Sequence, residues 1–333
     1  MPRYRLVVAY DGTDFCGFQK QEPVASWAIA TGVVSEGGEG KTPAKEHPKD
    51  LPPSMLRKSF EVLEDRPGRI AMRTVQHVLE RAVREVVRQP VELVGASRTD
   101  SGVHAKGQVA AFTCGGEGGA VGGWPTERGL DRLVMAINGK LPEDCLVRSA
   151  EEVEPTFNPI GGCVGKGYSY TIHTGIERPL FDRRFVHHVR EQLDWEAMDA
   201  AARALEGEHD FASFAAAGHG RLTTIRRIDR CRVARTEEGR IRIEVSGNGF
   251  LYNMVRIIAG TLAEVGRGNR SVASMVEVLG ALDRRAAGPT FPPTGLCLEW
   301  ISYPPTPPRE QWRMPLGDPG RAENTGMGDA GVD

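Results

Sequence analysis

Apolar residues along the chain recur with two periods, every second position or every three to four positions, and each period predicts a type of element. Residues 4–10 are rich in β-branched and aromatic side chains and predict a strand, whereas residues 73–88 place their apolar side chains on one stripe of a helix. Two strands, a helix and a short strand are predicted next, near 91–95, 107–112, 127–138 and 145–148. The first half of the chain therefore follows the order β-α-β-β-α-β.

The second half repeats this order. A strand is predicted over 168–174, and a helix over 195–206 follows Asp194 as its N-cap and stops at Gly207. Two strands, two helices and a closing strand come next, near 225–234, 240–246, 251–265, 271–282 and 296–302. We therefore expect an α+β fold of two similar β-α-β-β-α-β halves, with mostly antiparallel sheets joined around a central cleft.

Three stretches interrupt the pattern because they are rich in glycine or proline and show no sustained period. Residues 28–72 are interpreted as an inserted loop, and residues 114–125 as a surface connection. The end of the chain opens with several prolines and closes with glycine and aspartate. We expect an N-terminal domain over 1–150 that carries the insertion, a C-terminal domain over 151–303 and a disordered tail over 304–333.

Charge is nearly balanced over the whole chain but not along it. The 333 residues contain 42 Lys and Arg against 44 Asp and Glu, and 40% are hydrophobic, which is typical of a globular protein. Segment 221–235, however, has six arginines against one acid, Asp229, and a net charge of +5. Such a segment suits phosphate binding, with Arg226 and Arg227 as candidates, and is equally compatible with a solvated basic face.

Cysteine and histidine spacing does not predict a metal site. The six cysteines are at least 18 residues apart, so we expect reduced thiols in the core rather than zinc ligands or a redox pair. His104 and the pair His187-His188 lack partners at zinc spacing, and we expect structural or phosphate-facing roles.

No apolar run approaches the ~20 residues of a membrane span, and the run 6–10 is too short for a signal peptide. A cytoplasmic protein without a membrane segment is therefore predicted.

Residues 95–105, GASRTDSGVHA, gather a carboxylate, a guanidinium, hydroxyls and an imidazole between two predicted strands. The simplest interpretation of Asp100-Ser101-Gly102 is a turn in which Asp100 bonds its own backbone. An Asp-Ser-Gly loop is also how aspartic proteases present each half of a carboxylate dyad. Since the chain has no second Asp-Ser-Gly or Asp-Thr-Gly, the protease interpretation would require an obligate dimer.

Together with this loop, three further segments of the sequence resemble the motifs of a known protein family. The four motifs, in chain order, are YDGTDFCGFQKQ at 10–21, RTDSGVHA at 98–105, DFASF at 210–214 and GFLYNMVRIIAGTL at 249–262. With them the chain strongly resembles the tRNA pseudouridine synthases of the TruA family. The resemblance covers about residues 3–27 and 73–303 and leaves out the insertion and the tail.

The resemblance implies an activity and a substrate. The family isomerises uridine to pseudouridine in the anticodon stem-loop of tRNA, at tRNA positions 38, 39 and 40, without a metal or organic cofactor. The resemblance also implies a homodimer, because the family presents tRNA across two subunits. The family's α+β fold of two halves agrees with the element order predicted from periodicity.

The resemblance further implies roles for three residues. Asp100 matches the catalytic aspartate, which attacks the sugar or the base, or assists glycosidic cleavage by deprotonating the sugar; the sequence does not choose among these routes. Tyr168 matches the tyrosine that stacks on the flipped base and handles a proton, but Tyr170 shares its face, and either could be an ordinary core aromatic. Arg256 lies in an apolar helix stripe, where an unpaired guanidinium would be costly, and the family pairs it with the aspartate.

Substrate binding is expected of Arg98, which matches the arginine that fills the place of the flipped base, and of Lys166, Arg226 and Arg227. One departure concerns FNPI at 157–160, where the family commonly has Phe-His-Ala-Arg, so a cation expected to face RNA is missing. The alternative function is a catalytically silent RNA-binding protein or tRNA-folding chaperone on the same scaffold. Retention of the three catalytic candidates weighs against it, because binding alone needs none of them.

Overall fold

The computed structural model of the protein describes residues 1–22, 60–62, 70–115, 123–216, 222–236 and 238–305. The strands are β1 (Arg3–Tyr10), β2 (Phe60–Val62), β3 (Ile70–Met72), β4 (Val94–Gly95), β5 (His104–Thr113), β6 (Cys145–Val153), β7 (Gly165–Thr174), β8 (His187–Val189), β9 (Gly207–Asp210), β10 (Ile225–Arg235), β11 (Ile241–Gly247) and β12 (Leu296–Ser302). The α-helices are α1 (Val75–Val87), α2 (Leu130–Asn138), α3 (Trp195–Ala202), α4 (Met254–Gly266) and α5 (Ser274–Ala281).

Ten of these strands form one mostly antiparallel sheet. Its order is β6-β1-β5-β12-β7-β11-β10-β9, with β4 beside β5 and β8 beside β7. In the first half the order is β6-β1-β5-β4, and in the second half it is β12-β7-β11-β10. Both are the fourth, first, third and second strands of a β-α-β-β-α-β unit, so the α+β fold with two similar halves is confirmed.

The two half-sheets are joined at one edge of β5. β1 occupies one edge of β5, and the other edge is shared between two partners. β4 pairs with Ala110 and Ala111, whereas β12 pairs in parallel with His104 and Ala105. The connection from β4 to β5, residues 96–103, therefore lies at the seam where the two half-sheets meet.

One continuous hydrophobic core covers one face of the sheet. Tyr4 and Leu6 of β1, and Tyr170 and Ile172 of β7, are fully buried in the same cluster as the apolar stripes of the helices. Residues that alternate with them, such as Ser169, face the other side of the sheet. The side chains of β7 that share a face with Tyr170 therefore lie on the side of the sheet that the helices cover.

The structure contains elements that the sequence does not predict in three places. Residues 60–62 and 70–72, which the sequence predicts to lie in an inserted loop, form a two-stranded antiparallel sheet. Ile70, Ala71 and Met72 are buried, and the amide of Met72 donates to the carbonyl of Gln21 at 2.9 Å, so the end of the insertion belongs to the core. Strands β8 and β9 were not predicted, because segments of three and four residues are too short to show a period.

Some of the remaining predictions concern residues that lie outside the described part of the chain, and others can be compared with the structure. The rest of the insertion, most of the tail from 306 onward and Arg221 lie outside the described residues. All six cysteines are free thiols, and four of them are buried. Over the described ranges, no helix has the length and hydropathy to cross a membrane.

Candidate active site

The loop that carries Asp100 is fixed by backbone hydrogen bonds on both sides. Ala96 donates to the carbonyl of Val109 at 2.8 Å, and Phe18 donates to the carbonyl of Thr99 at 3.0 Å. The amide of Val103 donates to the backbone carbonyl of Asp100 at 3.1 Å, so the predicted turn is present in the backbone. The side chain of Asp100 is left to point into the seam between the halves.

Two glycines of the first motif allow that motif to pack directly against the loop. A Cβ atom on Gly12 would lie 1.9 Å from the carbonyl oxygen of Val103, and one on Gly17 would lie 2.9 Å from that of Thr99. Gly17 also has a φ of +92°, which side chains other than glycine rarely adopt. The YDGTDFCGFQKQ motif is therefore a support for the loop, built by close backbone contact.

A buried polar network lies beneath the loop. The amide nitrogen of Gln108, which is fully buried, donates to the carbonyl of Ser97 at 2.6 Å, and the amide of Ser97 donates back to Gln108 Oε1 at 3.2 Å. The hydroxyls of Tyr10 and Thr99 share a hydrogen bond of 2.7 Å. Because a buried polar group is costly unless it is paired, these bonds strongly favour one loop conformation.

Arg256 reaches Asp100 from the first turn of α4. Its Nη1 lies 3.5 Å from Asp100 Oδ2, while its Nε donates to the carbonyl of Phe291 and its Nη1 to Asn253 Oδ1, both at 2.7 Å. The Arg256 side chain is 16% exposed and that of Asp100 is 32% exposed. Burial raises the pKa of the Asp100 carboxyl above its usual value, and the Arg256 guanidinium opposes that rise. Arg256 is thus a cation that favours the carboxylate form of Asp100.

The structure separates the two tyrosines of β7. Tyr170 is fully buried and donates its hydroxyl to the carbonyl of Pro292 at 2.8 Å, so it is a core aromatic. Tyr168 is 7% exposed, and its hydroxyl lies 3.2 Å from Ser97 Oγ on the Asp100 loop. Its ring packs edge-on against Phe250 of the fourth motif, with centroids 5.2 Å apart. Of the pair, Tyr168 is the one placed at the seam.

Tyr168 is neutral at physiological pH in this structure. Burial raises the pKa of its phenol to about 12, the hydrogen bond from Ser97 acts to lower it, and the negative charge of Asp100 raises it. Tyr168 meets the Asp100 loop at Ser97, so the charge of Asp100 acts on its phenol. The seam therefore brings together a carboxylate, a guanidinium and a phenol, which can act as a nucleophile or base, its counter-ion and a proton carrier.

The predicted substrate-binding residues lie at different distances from this centre. Arg98 is exposed on the Asp100 loop, and Lys166 is half-buried with its Nζ 3.3 Å from Ser97 Oγ. Arg226 and Arg227 are neighbours on β10, so their side chains leave opposite faces of the sheet. Arg226 lies against Gly249, at the start of the fourth motif, whereas Arg227 pairs with Asp229 at 3.0 Å. The structure thus brings Arg98 and Lys166 to the centre and splits the two strand arginines.

Residues 157–160 form a turn rather than a cationic surface. Asn158 Oδ1 accepts hydrogen bonds from the amides of Ile160 and Gly161 at 2.9 and 3.0 Å. The hydroxyl of Tyr303 donates to the carbonyl of Pro159 at 2.6 Å, which ties the turn to the end of β12. Ile160 is exposed, so an apolar side chain stands where a cation was expected from the family pattern.

The histidines take structural positions. The amide of Gly12 donates to His104 Nδ1 at 3.1 Å, and His104 Nδ1 also lies 3.2 Å from Asp11 Oδ1. Burial and the nearby charge of Arg267 lower the pKa of His187 to about 4, so it is neutral at physiological pH. Within the described part of the chain, no group of three or more His, Cys, Asp or Glu side chains could hold a metal ion.

Sequence reasoning missed Ser97, Gln108 and Arg184. Arg184, in the loop between β7 and β8, bonds Asp14 at 2.9 Å and Asp11 at 3.3 Å and so links the two halves. No pattern near Arg184 in the sequence indicates these contacts, because both of its partners are about 170 positions away in the chain. Gln108 is a polar residue inside an apolar strand, which weakly indicates a buried polar contact. Ser97 lies in the GASRTDSGVHA segment, where the charged side chains of Arg98 and Asp100 are the more evident candidates.

Comparison with known proteins gives one consistent result. Residues 201–304 match the family model described as tRNA pseudouridine synthase. The tRNA pseudouridine synthase A 2 of Clostridium perfringens is 42% identical over 232 residues, which cover 69% of this chain and 90% of that protein. The tRNA pseudouridine synthase A of Geobacter sulfurreducens is 44% identical with the same coverage. That of Limosilactobacillus fermentum is 35% identical over 307 residues, covering 91% of this chain and 96% of that protein.

Proposed function

The chain belongs to the tRNA pseudouridine synthase A family, and from this premise we propose that it isomerises uridine to pseudouridine in the anticodon stem-loop of tRNA, at positions 38, 39 and 40. The observation that carries the proposal is the meeting of Asp100, Arg256 and Tyr168 at the seam between the halves. A protein that only binds RNA has no use for this group. An aspartic protease shares a proton between two carboxylates, whereas the charged neighbour of Asp100 is a guanidinium.

The reaction is balanced within the substrate. The bond from the sugar C1′ to N1 of uracil breaks, a bond from C1′ to C5 forms, and one proton leaves C5 while N1 gains one. Because electrons and atoms balance without a second reactant, the residues need to supply only a nucleophile or base, a charge partner and a proton carrier. We assign these parts to Asp100, Arg256 and Tyr168, with Tyr168 also offering its ring for stacking on the base.

The target uridine must leave its stack before Asp100 can reach it, at a cost of a few kcal/mol. Arg98 supports this step, because it is exposed two residues before Asp100 on a loop whose backbone is held in place. Arg226, beside the fourth motif, is the better placed of the strand arginines to contact phosphate near the seam. Arg227 is expected to contribute less, since Asp229 already pairs with it.

We also propose a cytoplasmic homodimer. The loop between β7 and β8 exposes large apolar side chains, with Ile176 91%, Leu180 67% and Phe181 89% exposed. Apolar side chains gathered in one surface loop are typical of an interface between protein chains. Sedimentation equilibrium of the full chain tests this part, and replacement of Leu180 and Phe181 by serine is expected to shift the mass toward the monomer.

The activity is tested with unmodified tRNA transcripts that carry uridine at positions 38, 39 and 40. After incubation with the protein, carbodiimide mapping is expected to detect pseudouridine at these positions. A transcript with cytidine at all three positions is the matched control and is expected to remain unmodified. Absence of pseudouridine from every uridine-containing transcript would overturn the proposed function.

A further inference from the structure

The hydroxyl of Ser97 connects two residues of β7 to the Asp100 loop. Lys166 Nζ donates to Ser97 Oγ at 3.3 Å, and Ser97 Oγ lies 3.2 Å from the hydroxyl of Tyr168. Lys166 and Tyr168 are two positions apart on one strand, so their side chains leave the same face of the sheet. Ser97 comes from the other half of the molecule and is 8% exposed.

Ionisation of Tyr168 fixes the direction of the hydrogen bonds in this group. A lysine ammonium can only donate, so the oxygen of Ser97 accepts from Lys166. A phenolate can only accept, so when Tyr168 is ionised the hydroxyl of Ser97 donates to it. This arrangement places the positive end of the hydroxyl dipole, with a cation behind it, against the phenol oxygen. It favours the anionic form of Tyr168, which burial and the charge of Asp100 both oppose.

We propose that Ser97 and Lys166 are positioning residues that stabilise Tyr168 as a transient phenolate while it carries the proton from C5 to N1 of the uracil. The inference rests on the proposed function. Once the C1′–N1 bond has broken, the O–H bond of Tyr168 breaks and its proton goes to N1, which leaves a phenolate. After the C1′–C5 bond has formed, the C5–H bond breaks and its proton returns to Tyr168. The phenol is regenerated and no other reactant is needed.

This assignment changes the part given to Lys166, which the sequence predicts to bind substrate. Its ammonium is directed to Ser97, and the serine hydroxyl passes its effect to Tyr168. The hydrogen bond from Ser97 is the interaction that lowers the pKa of Tyr168, in opposition to burial. Loss of either residue is therefore expected to make the phenolate harder to form.

The first test uses single-turnover kinetics on tRNA in H2O and in D2O. Ser97→Ala is expected to slow the reaction by about tenfold or more and to increase the solvent isotope effect above that of the wild type, because formation of the phenolate, in which the Tyr168 proton moves to N1, becomes rate-limiting. Ser97→Thr keeps the hydroxyl and is expected to retain most of the wild-type rate. Lys166→Arg keeps the positive charge and is also expected to retain most of the rate, whereas Lys166→Gln is expected to be slow. Ser169→Ala is the matched control, because it removes a buried serine hydroxyl from β7 on the opposite face, where it bonds Glu299.

The second test does not depend on activity. The chain is labelled with 3-fluorotyrosine, the Tyr168 resonance is assigned by its absence in Tyr168→Phe, and its titration is followed by fluorine NMR. Ser97→Ala and Lys166→Gln are expected to raise the titration midpoint by at least about half a pH unit, and Ser169→Ala is not. An unchanged midpoint, or a slow Ser97→Ala enzyme whose solvent isotope effect equals that of the wild type, would overturn the inference. A normal shift in the midpoint with no pseudouridine from the wild type would instead overturn the proposed function.

Discussion

At the residue scale, the chemistry of the site depends on the ion pair in which Arg256 Nη1 lies 3.5 Å from Asp100 Oδ2. Arg256 reaches this position because it interrupts the apolar stripe of α4 and turns inward. Periodicity could not separate Tyr168 from Tyr170, because both leave the same face of β7. The difference between them is set by Pro292 and Ser97, which lie far away in the chain and become neighbours only when it folds.

The pH dependence of activity is expected to report on Asp100. The carboxylate is the active form, so activity falls as the pH drops through the pKa of Asp100, which burial has raised. Arg256→Gln removes the cation that lowers this pKa, and the acid limb of the pH–rate profile is expected to move to higher pH. Arg256→Lys keeps the charge, so its limb should stay nearer that of the wild type although its rate falls. A limb at the same pH in all three proteins would show that Arg256 does not control Asp100.

Unfolding experiments are expected to detect the same contact. Arg256→Ala leaves the carboxylate of Asp100 without its cation and should destabilise the fold. The double variant with Asp100→Ala should recover part of that loss, with a coupling free energy of about 0.5–3 kcal/mol from urea denaturation. Strictly additive losses would mean that the two residues do not interact.

At the element scale, the long helices and strands agree with the hydrophobic periods, and the deviations occur in short elements. The predicted strand near 91–95 is reduced to Val94–Gly95, because the residues before it bond side chains of α1: the amide of Leu93 donates to Glu80 Oε2, and the carbonyl of Val91 accepts from Arg84. The pairing of β12 with β5 joins Cys297 to His104, which are far apart in the chain, so no local pattern predicts it. It is nonetheless what brings the Asp100 loop to β7.

Packing of the first motif against the loop can be tested at Gly17. Gly17→Ala adds a Cβ only 2.9 Å from the carbonyl oxygen of Thr99, so it is expected to shift the Asp100 loop and lower kcat by about tenfold or more. Gly239→Ala is the control, because it has a similar positive φ, +76°, in the turn between β10 and β11. Equal activity of the two variants would indicate that backbone strain, and not displacement of the loop, explains any loss.

The arginines of β10 are expected to determine part of the salt dependence of tRNA binding. Each duplex phosphate contact contributes a slope of about −0.9 to the logarithm of affinity against the logarithm of salt concentration. Arg226→Ala with Arg227→Ala should therefore flatten the slope by up to about 1.8, with most of the change from Arg226. Arg203→Ala, which removes an exposed arginine paired with Asp199, is the control. A slope unchanged from wild type would place this strand away from RNA.

At the scale of the whole molecule, the site exists because two halves meet. Asp100 and Ser97 come from the first half, whereas Tyr168, Lys166 and Arg256 come from the second. Pairs outside the centre hold the same junction. Lys106 lies 3.4 Å from Glu299, across 193 positions of sequence, on the face opposite the core. The sequence predicted two halves and a cleft from the repeated order of elements, but the geometry of the junction depends on contacts that only the folded chain provides.

The central claim is that Asp100 performs the isomerisation at this junction. Its most direct test is the amount of pseudouridine that wild type and Asp100→Asn form from the same anticodon stem-loop substrate, with tRNA affinity measured in parallel. Asparagine keeps the shape of the side chain but lacks a nucleophilic or basic oxygen, so product formation should fall below about one thousandth of wild type while binding persists. Turnover by Asp100→Asn within about tenfold of wild type would contradict the assignment.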